Sequence, residues 1–128
     1  MIDFATLEKR REPSRWLAAP AGLCRAAEPD GDAPVFEAPP DRLIAALAAV
    51  LEDRPRTAVV ERVDDALEAE ERTALFRFRD RISARAVPRE DGRTALALYS
   101  RSTVGYWDMG VNRRRVAALV EAVREAMG

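Results

Sequence analysis

The chain has 128 residues, 48% hydrophobic and 34% charged, enough for one domain with a real core and no need of disulfides or a structural metal. Its net charge of −1 gives no global electrostatic case for nucleic acid or a membrane surface. Histidine is absent and cysteine occurs once, at Cys24, which excludes a zinc cluster, a Ser-His-Asp triad and a Cys-His dyad within one chain.

A single cysteine makes no internal disulfide and points to a reducing compartment. The first residues lack an apolar signal core, and the longest uncharged apolar run, 43–51, has nine residues against roughly 20 for a membrane span. A cytoplasmic protein without a membrane span is expected. All but one of the 21 basic residues are arginine, which suits ion pairing and anion binding better than proton transfer.

Residues 1–33 are expected to be an irregular arm, because Pro13, Pro20, Pro29, Gly22 and Gly31 break any long helix. Phe4, Leu7, Trp16, Leu17 and Leu23 give it apolar surface to pack on the body, as a fixed cover or as a lid. Residues 34–128 then form a single α+β domain. It opens with a short strand at 34–38, closed by Pro39-Pro40. Asp41 follows as an N-cap or first-turn acid, and Leu43, Ile44, Leu47, Val50 and Leu51 share one helical face. Arg54-Pro55 ends that helix, since a residue before proline is pushed out of helical geometry.

Three strand entries repeat Arg-Thr-Ala, at Arg56, Arg72 and Arg93. Residues 57–63 read as a strand and 64–71 as an acidic turn or short helix. From Thr73, Phe76, Phe78, Asp80, Ile82, Ala84 and Ala86 face one way, and Arg77, Arg79, Arg81, Ser83 and Arg85 the other, with a bend near Asp80 able to split the run. Glu90-Asp91-Gly92 is a hairpin turn. In the next strand Leu96 and Leu98 point to the core, which aims Ser100 and Ser102 the same way and leaves Tyr99 and Arg101 on the opposite face. The last helix carries Val116, Leu119, Val120, Val123 and Met127 on one stripe. Asn112 and Arg113 extend that stripe upward, with Arg115 on its flank and Arg114 opposite. The order predicts a two-layer fold, a curved antiparallel sheet with an early helix and a C-terminal helix, similar to a small helix-grip.

Arg113, Arg114 and Arg115 occupy the positive end of that helix, each unfavourable by about 0.3–1 kcal/mol when exposed, so negative charge is expected nearby. Asp80 lies among apolar neighbours on its strand face, and Asp108 precedes the helix as a cap or near-cap acceptor. Two readings follow. In the architectural one, Arg113 or Arg101 pairs with Asp80 or Asp108 and Asn112 ties down the loop. In the functional one, Arg101, Arg113, Asn112 and the amides near Gly110 hold the anionic group of a ligand, with Ser100, Ser102, Asp80 and Asp108 around them. Catalysis would have to run through Asp80, Asp108, Glu70 or Tyr106, with no recognised carboxylate pair among them. The run from Arg77 to Arg85 is either a solvated face paired with Glu68, Glu70 or Glu71, or a surface for an anionic partner. Nucleic acid is disfavoured there, because aromatics do not interleave with the arginines.

Ser100-Arg101-Ser102, Gly105, Asp108, Gly110, Asn112-Arg113 and Arg115-Val116 resemble the terminal motif of an uncharacterised bacterial and plastid family, domain of unknown function 1499. Weaker matches lie upstream at Pro55-Arg56-Thr57, Arg72-Thr73, Leu75-Phe76, Phe78 and Asp80, and in the arm at Ala19-Pro20 and Gly22-Leu23-Cys24. This chain has Ser14 after Pro13 where family members commonly have asparagine, and Arg81 where many have a second acid after the aspartate. The resemblance implies a shared domain with no assigned reaction. The expected function is a non-enzymatic module binding a small anionic or amphipathic ligand, without a cofactor or a metal. A structural or protein-interaction module using the Arg77–Arg85 face is the alternative, and an enzyme using Asp80 or Asp108 ranks last.

Overall fold

The computed structural model describes residues 1–8, 14–75, 78–102 and 110–128. Its elements run β1 (Arg15–Ala18), β2 (Val35–Phe36), α1 (Pro40–Asp53), β3 (Thr57–Val63), β4 (Ala66–Arg72), β5 (Arg79–Pro88), β6 (Thr94–Ser102) and α2 (Val111–Met127). The strands form one open antiparallel sheet in the order β1-β6-β5-β4-β3, and β2 also pairs with β6. The fold is α+β.

Both helices cover one face of this sheet. Leu43, Ile44, Leu47 and Leu51 of α1 and Val116, Leu119 and Val123 of α2 pack on Leu67, Ala69, Ile82, Ala84, Leu96 and Leu98. The strands alternate, so every second residue enters this layer, and each large aliphatic side chain buried there contributes about 1.5–3 kcal/mol. The small Ala69, Ala84 and Ala86 let the helices approach the sheet closely. Pro39 and Pro40 open α1 without a side-chain cap bond, Asp41 lies in its first turn, and Arg54 ends it in extended geometry. On the opposite face Phe4, Leu17, Ala19 and Ala27 close over Ala97 and Tyr99.

Three expectations change. Residues 15–18, expected to be irregular, form β1, with Trp16 opposite Ser100 and Leu17 opposite Tyr99. Residues 64–71, expected to be a turn or short helix, hold only the turn at Asp64 and Asp65. Residues from Ala66 onward are β4, paired on both sides. Alanine, leucine and glutamate favour helix in isolation, but ladder bonds to β3 and β5 override that preference. The run from Thr73 breaks before Arg79, where Thr73 N donates to Phe78 O (2.9 Å) and Thr73 Oγ1 accepts from Phe78 N (3.0 Å). Phe78 is exposed there instead of continuing the core face, and Phe76 and Arg77 lie outside the described residues.

Candidate functional site

One register row across the sheet is polar on its helix-covered face. Thr57 stands opposite Glu71, Glu71 opposite Asp80 and Asp80 opposite Ser102. Ser14, just before β1, extends the row: its carbonyl accepts from Ser102 N (2.9 Å), and its hydroxyl donates to Ser102 Oγ (2.9 Å). The apolar face therefore ends in a line of hydroxyls and carboxylates, and the first turn of α2 lies on it.

Asn112 and Arg115 reach down from that turn. Asn112 is fully buried, donating from Nδ2 to Ser14 Oγ (2.8 Å) and Ser102 Oγ (3.2 Å). Its Oδ1 accepts from Ser100 Oγ (2.7 Å) and Arg115 Nη1 (2.8 Å), so both amide donors and both lone pairs are used. Arg115, 3% exposed, donates from Nη2 to Asp80 Oδ2 (2.7 Å), from Nε to Glu71 Oε2 (3.1 Å) and from Nη1 to Ser100 Oγ (3.0 Å). The other oxygen of Glu71 accepts from Arg54 Nε at the end of α1 and from Thr57 Oγ1. Burial alone would raise the Glu71 pKa, but the hydrogen bonds and charges of Arg54 and Arg115 outweigh it and hold the carboxyl below its ordinary value.

Arg113 behaves differently. It is exposed, and its guanidinium lies over the Trp16 ring, 4.9 Å from the centroid. Among the described residues no carboxylate meets it. Below it a cleft of about 430 Å³ runs between α2 and the segment after β1, lined by Trp16, Ala18, Ala33, Pro34, Val116 and Val120, with Asp32 also at its wall. The α2 N-cap is Gly110, in left-handed geometry (φ 79°), with no side-chain cap bond and no acid in the first turn. Among the described residues nothing at that pole offsets Arg113 as Asp80 and Glu71 offset Arg115.

The architectural reading had Arg113 or Arg101 pairing with Asp80 or Asp108; at Asp80 the structure puts Arg115 instead. The buried face of α2 centres on Leu119, which is 1% exposed, whereas Val120 is half-buried. Asn112 and Arg115 flank Leu119 on the helical wheel, while Arg113 stacks above Val120 at the edge. Ser100, Ser102 and Asn112 engage one another, and Asp80 joins them through Arg115. Arg101 lies on the opposite face, 4.7 Å from the Tyr99 ring centroid and donating to Ser83 Oγ (3.0 Å). Asp108 lies outside the described residues.

Glu71, Thr57, Ser14 and Arg54 were not assigned to this site from sequence; Glu71 was expected among the partners of the Arg77–Arg85 face, but it lies on the helix-covered face with Arg115 and Arg54. Reading 66–72 as an alternating strand would have put Glu71 on the face of Leu67 and Ala69, level with Asp80. Of the arginine run on β5, Arg81 pairs with Glu70 (2.8 Å), Ser83 is buried and donates to Glu68 (2.8 Å), and Arg77 is outside the described residues. Among the described residues no group of three or more His, Cys, Asp or Glu is placed to hold a metal ion, and no helix is long and apolar enough to cross a membrane.

A family model described as protein of unknown function, DUF1499, matches residues 14–123. The chain belongs to that family. No curated protein and no solved structure matches it. The DUF1499 match begins at Ser14, which closes the polar row, and ends at Val123, the last buried residue of α2, so it encloses the whole network and the Trp16–Arg113 cleft.

Proposed function

We propose that this DUF1499 protein is a non-enzymatic binding module whose ligand is a small amphipathic monoanion, seated in the cleft with its charged group on Arg113. The observation that carries the reading is the contrast between neighbouring arginines. Arg115 is neutralised by two buried acids, whereas Arg113, on the same helical turn, meets among the described residues an aromatic face and no carboxylate, at the mouth of an apolar cleft. A carboxylate there would take a two-pronged grip from the guanidinium and offset the positive pole of α2. The cleft volume lies within the usual range for small-molecule sites. Asp32 in its wall repels a polyanion more than a ligand with a single charge.

Larger depressions have the wrong charge for an anion. The groove of about 770 Å³ between α1 and α2 carries Asp53 and Glu125, and its Arg54 is already paired with Glu71. The cleft of about 630 Å³ beside the β5–β6 turn carries Glu90, and its Arg89 is paired with Asp91. Asp80, the acid an enzymatic reading needs, is 2% exposed and held by Arg115. The single cysteine suits a reducing compartment, and we place the module in the cytoplasm.

Decanoate and decanol, titrated by calorimetry, test the reading. The acid should bind and the alcohol should bind at least about tenfold more weakly, a difference of ~1.4 kcal/mol. Arg113→Ala should erase that preference while leaving the melting temperature unchanged. Equal binding of acid and alcohol, or a melting temperature that collapses in Arg113→Ala with no shift by any anion, overturns the proposal.

A further inference from the structure

Two acids stand close together on the segment that runs beside β1, and the fold uses one of them. Asp30 N donates to Leu17 O (2.8 Å), and Asp30 Oδ2 accepts from Leu17 N (2.8 Å). Asp32 is exposed, and among the described residues its carboxylate meets neither a cation nor a hydrogen-bond donor. Its backbone is nonetheless held on both sides. Ala19 N donates to Gly31 O (3.4 Å) before it, and Leu96 N donates to Pro34 O (2.9 Å) after it. A carboxylate with no part in the fold is thus carried in the wall of the Arg113 cleft.

The chemistry of that cleft is sparse. Arg113 and Trp16 can only donate hydrogen bonds, and Ala18, Ala33, Pro34, Val116 and Val120 have no polar side-chain atom. Among the described residues Asp32 is the one lining side chain able to accept, and no ion pair joins it to Arg113 across the cleft. Its place is near the head of the cleft. Arg113 rests on the Trp16 ring, 4.9 Å from the centroid, and Gly31 packs on the same ring, where a Cβ would lie 3.2 Å from Cζ2. Asp32 is the next residue, so its carboxylate falls within a few carbons of a group seated on Arg113.

We infer, on the basis of the proposed ligand cleft, that Asp32 sets the specificity of this site: the ligand carries a hydroxyl on its chain close to its carboxylate, and that hydroxyl donates to Asp32. A chain that is bare there leaves an unpartnered acceptor beside the ligand's own negative charge, and a hydroxyl satisfies it. A hydrogen bond to an ionised acceptor is roughly twice as strong as a neutral one. An ammonium would also donate, but it would share the cleft with Arg113 and lose water against the apolar wall. The neutral hydroxyl is the better match.

Calorimetry of the full chain with decanoate, racemic β-hydroxydecanoate and ω-hydroxydecanoate is the direct test. The parent should bind β-hydroxydecanoate about fivefold more tightly than decanoate, and the ω-isomer no more tightly than decanoate. Asp32→Ala should lose that gain, bind decanoate at least as well as the parent, and melt at the parental temperature. Decanoate binding with no gain for β-hydroxydecanoate overturns the inference and leaves the cleft in place. So does a gain that survives in Asp32→Ala or is shared by the ω-isomer. If neither decanoate nor β-hydroxydecanoate binds, the cleft and the inference fall together.

Discussion

Arg115 Nη2 lies 2.7 Å from Asp80 Oδ2, with both side chains 3% exposed, and this contact joins the start of α2 to the centre of the sheet. Removing the cation would leave Asp80 buried without its neutraliser and Glu71 with Arg54 alone. Arg115→Met should therefore cost about 3–5 kcal/mol of unfolding free energy, the range for breaking a buried pair from one side. Arg115→Lys keeps a charge but loses the fork that serves Asp80, Glu71, Ser100 and Asn112 together, and should cost about 1–3 kcal/mol. Urea unfolding at neutral pH would measure both. Near-parental stability for Arg115→Met would mean that the network is not what anchors α2.

Acid should weaken the fold through Glu71. Its folded pKa lies below the ordinary value of 4.5, so the folded state binds fewer protons than the unfolded one near that pH. The stabilisation is fully present above the unfolded pKa and is lost as pH falls through the folded pKa. Glu71→Gln should be less stable than the parent at neutral pH, and its urea midpoint should fall less steeply between about pH 5 and about pH 3. Parallel acid limbs for parent and variant would assign the loss to other carboxylates.

The α2 N-cap depends on a glycine for a conformational reason. Gly110 has φ 79°, and a Cβ added there would lie 3.2 Å from Arg114 Nη1. The flexible end of Arg114 can give way, but the backbone cannot without moving Asn112 and Arg115 off the polar row. Gly110→Ala should cost about 1–2 kcal/mol, the usual penalty of left-handed geometry with a side chain. Thermal unfolding of the variant would show it, and an unchanged melting temperature would imply that the turn relaxes freely.

From α1 onward α1, β3, β6 and α2 were legible, β4 was not, and the periods were strongest where the core is aliphatic: the stripe of Leu43, Ile44, Leu47 and Leu51, and the alternation of Leu96 and Leu98 that aimed Ser100 and Ser102 inward. The arginine conflict at α2 likewise announced that negative charge lay close by. The partners were less legible, because pairing is set by register. Nothing local says that Glu71 and Asp80 stand opposite each other, and the helix propensity of 66–71 conceals the strand that puts them there. Trp16 and Ser14 were obscured by the prolines and glycines around them, although β1 is made by its ladder with β6 rather than by its own four residues.

The cleft can be narrowed without touching the polar row. A Cβ added to Gly31 would lie 3.2 Å from Trp16 Cζ2. Gly31 cannot retreat, because the segment is tied to β1: Gly31 N and Asp30 N both donate to Leu17 O, Ala19 N donates to Gly31 O, and Leu17 N donates to Asp30 Oδ2 (2.8 Å). The ring must move instead, and Arg113 loses the face it rests on. In a Trp107→Phe background, which leaves Trp16 as the single tryptophan, Gly31→Val should shift the emission maximum and cut decanoate binding about tenfold. Its stability cost should be about 1–3 kcal/mol, that of overpacking. Arg115→Lys, by contrast, should lower stability with decanoate affinity intact. Were Gly31→Val to move the emission yet leave binding unchanged, the ligand would have to sit elsewhere, since no occupant of this cleft avoids the Trp16 ring.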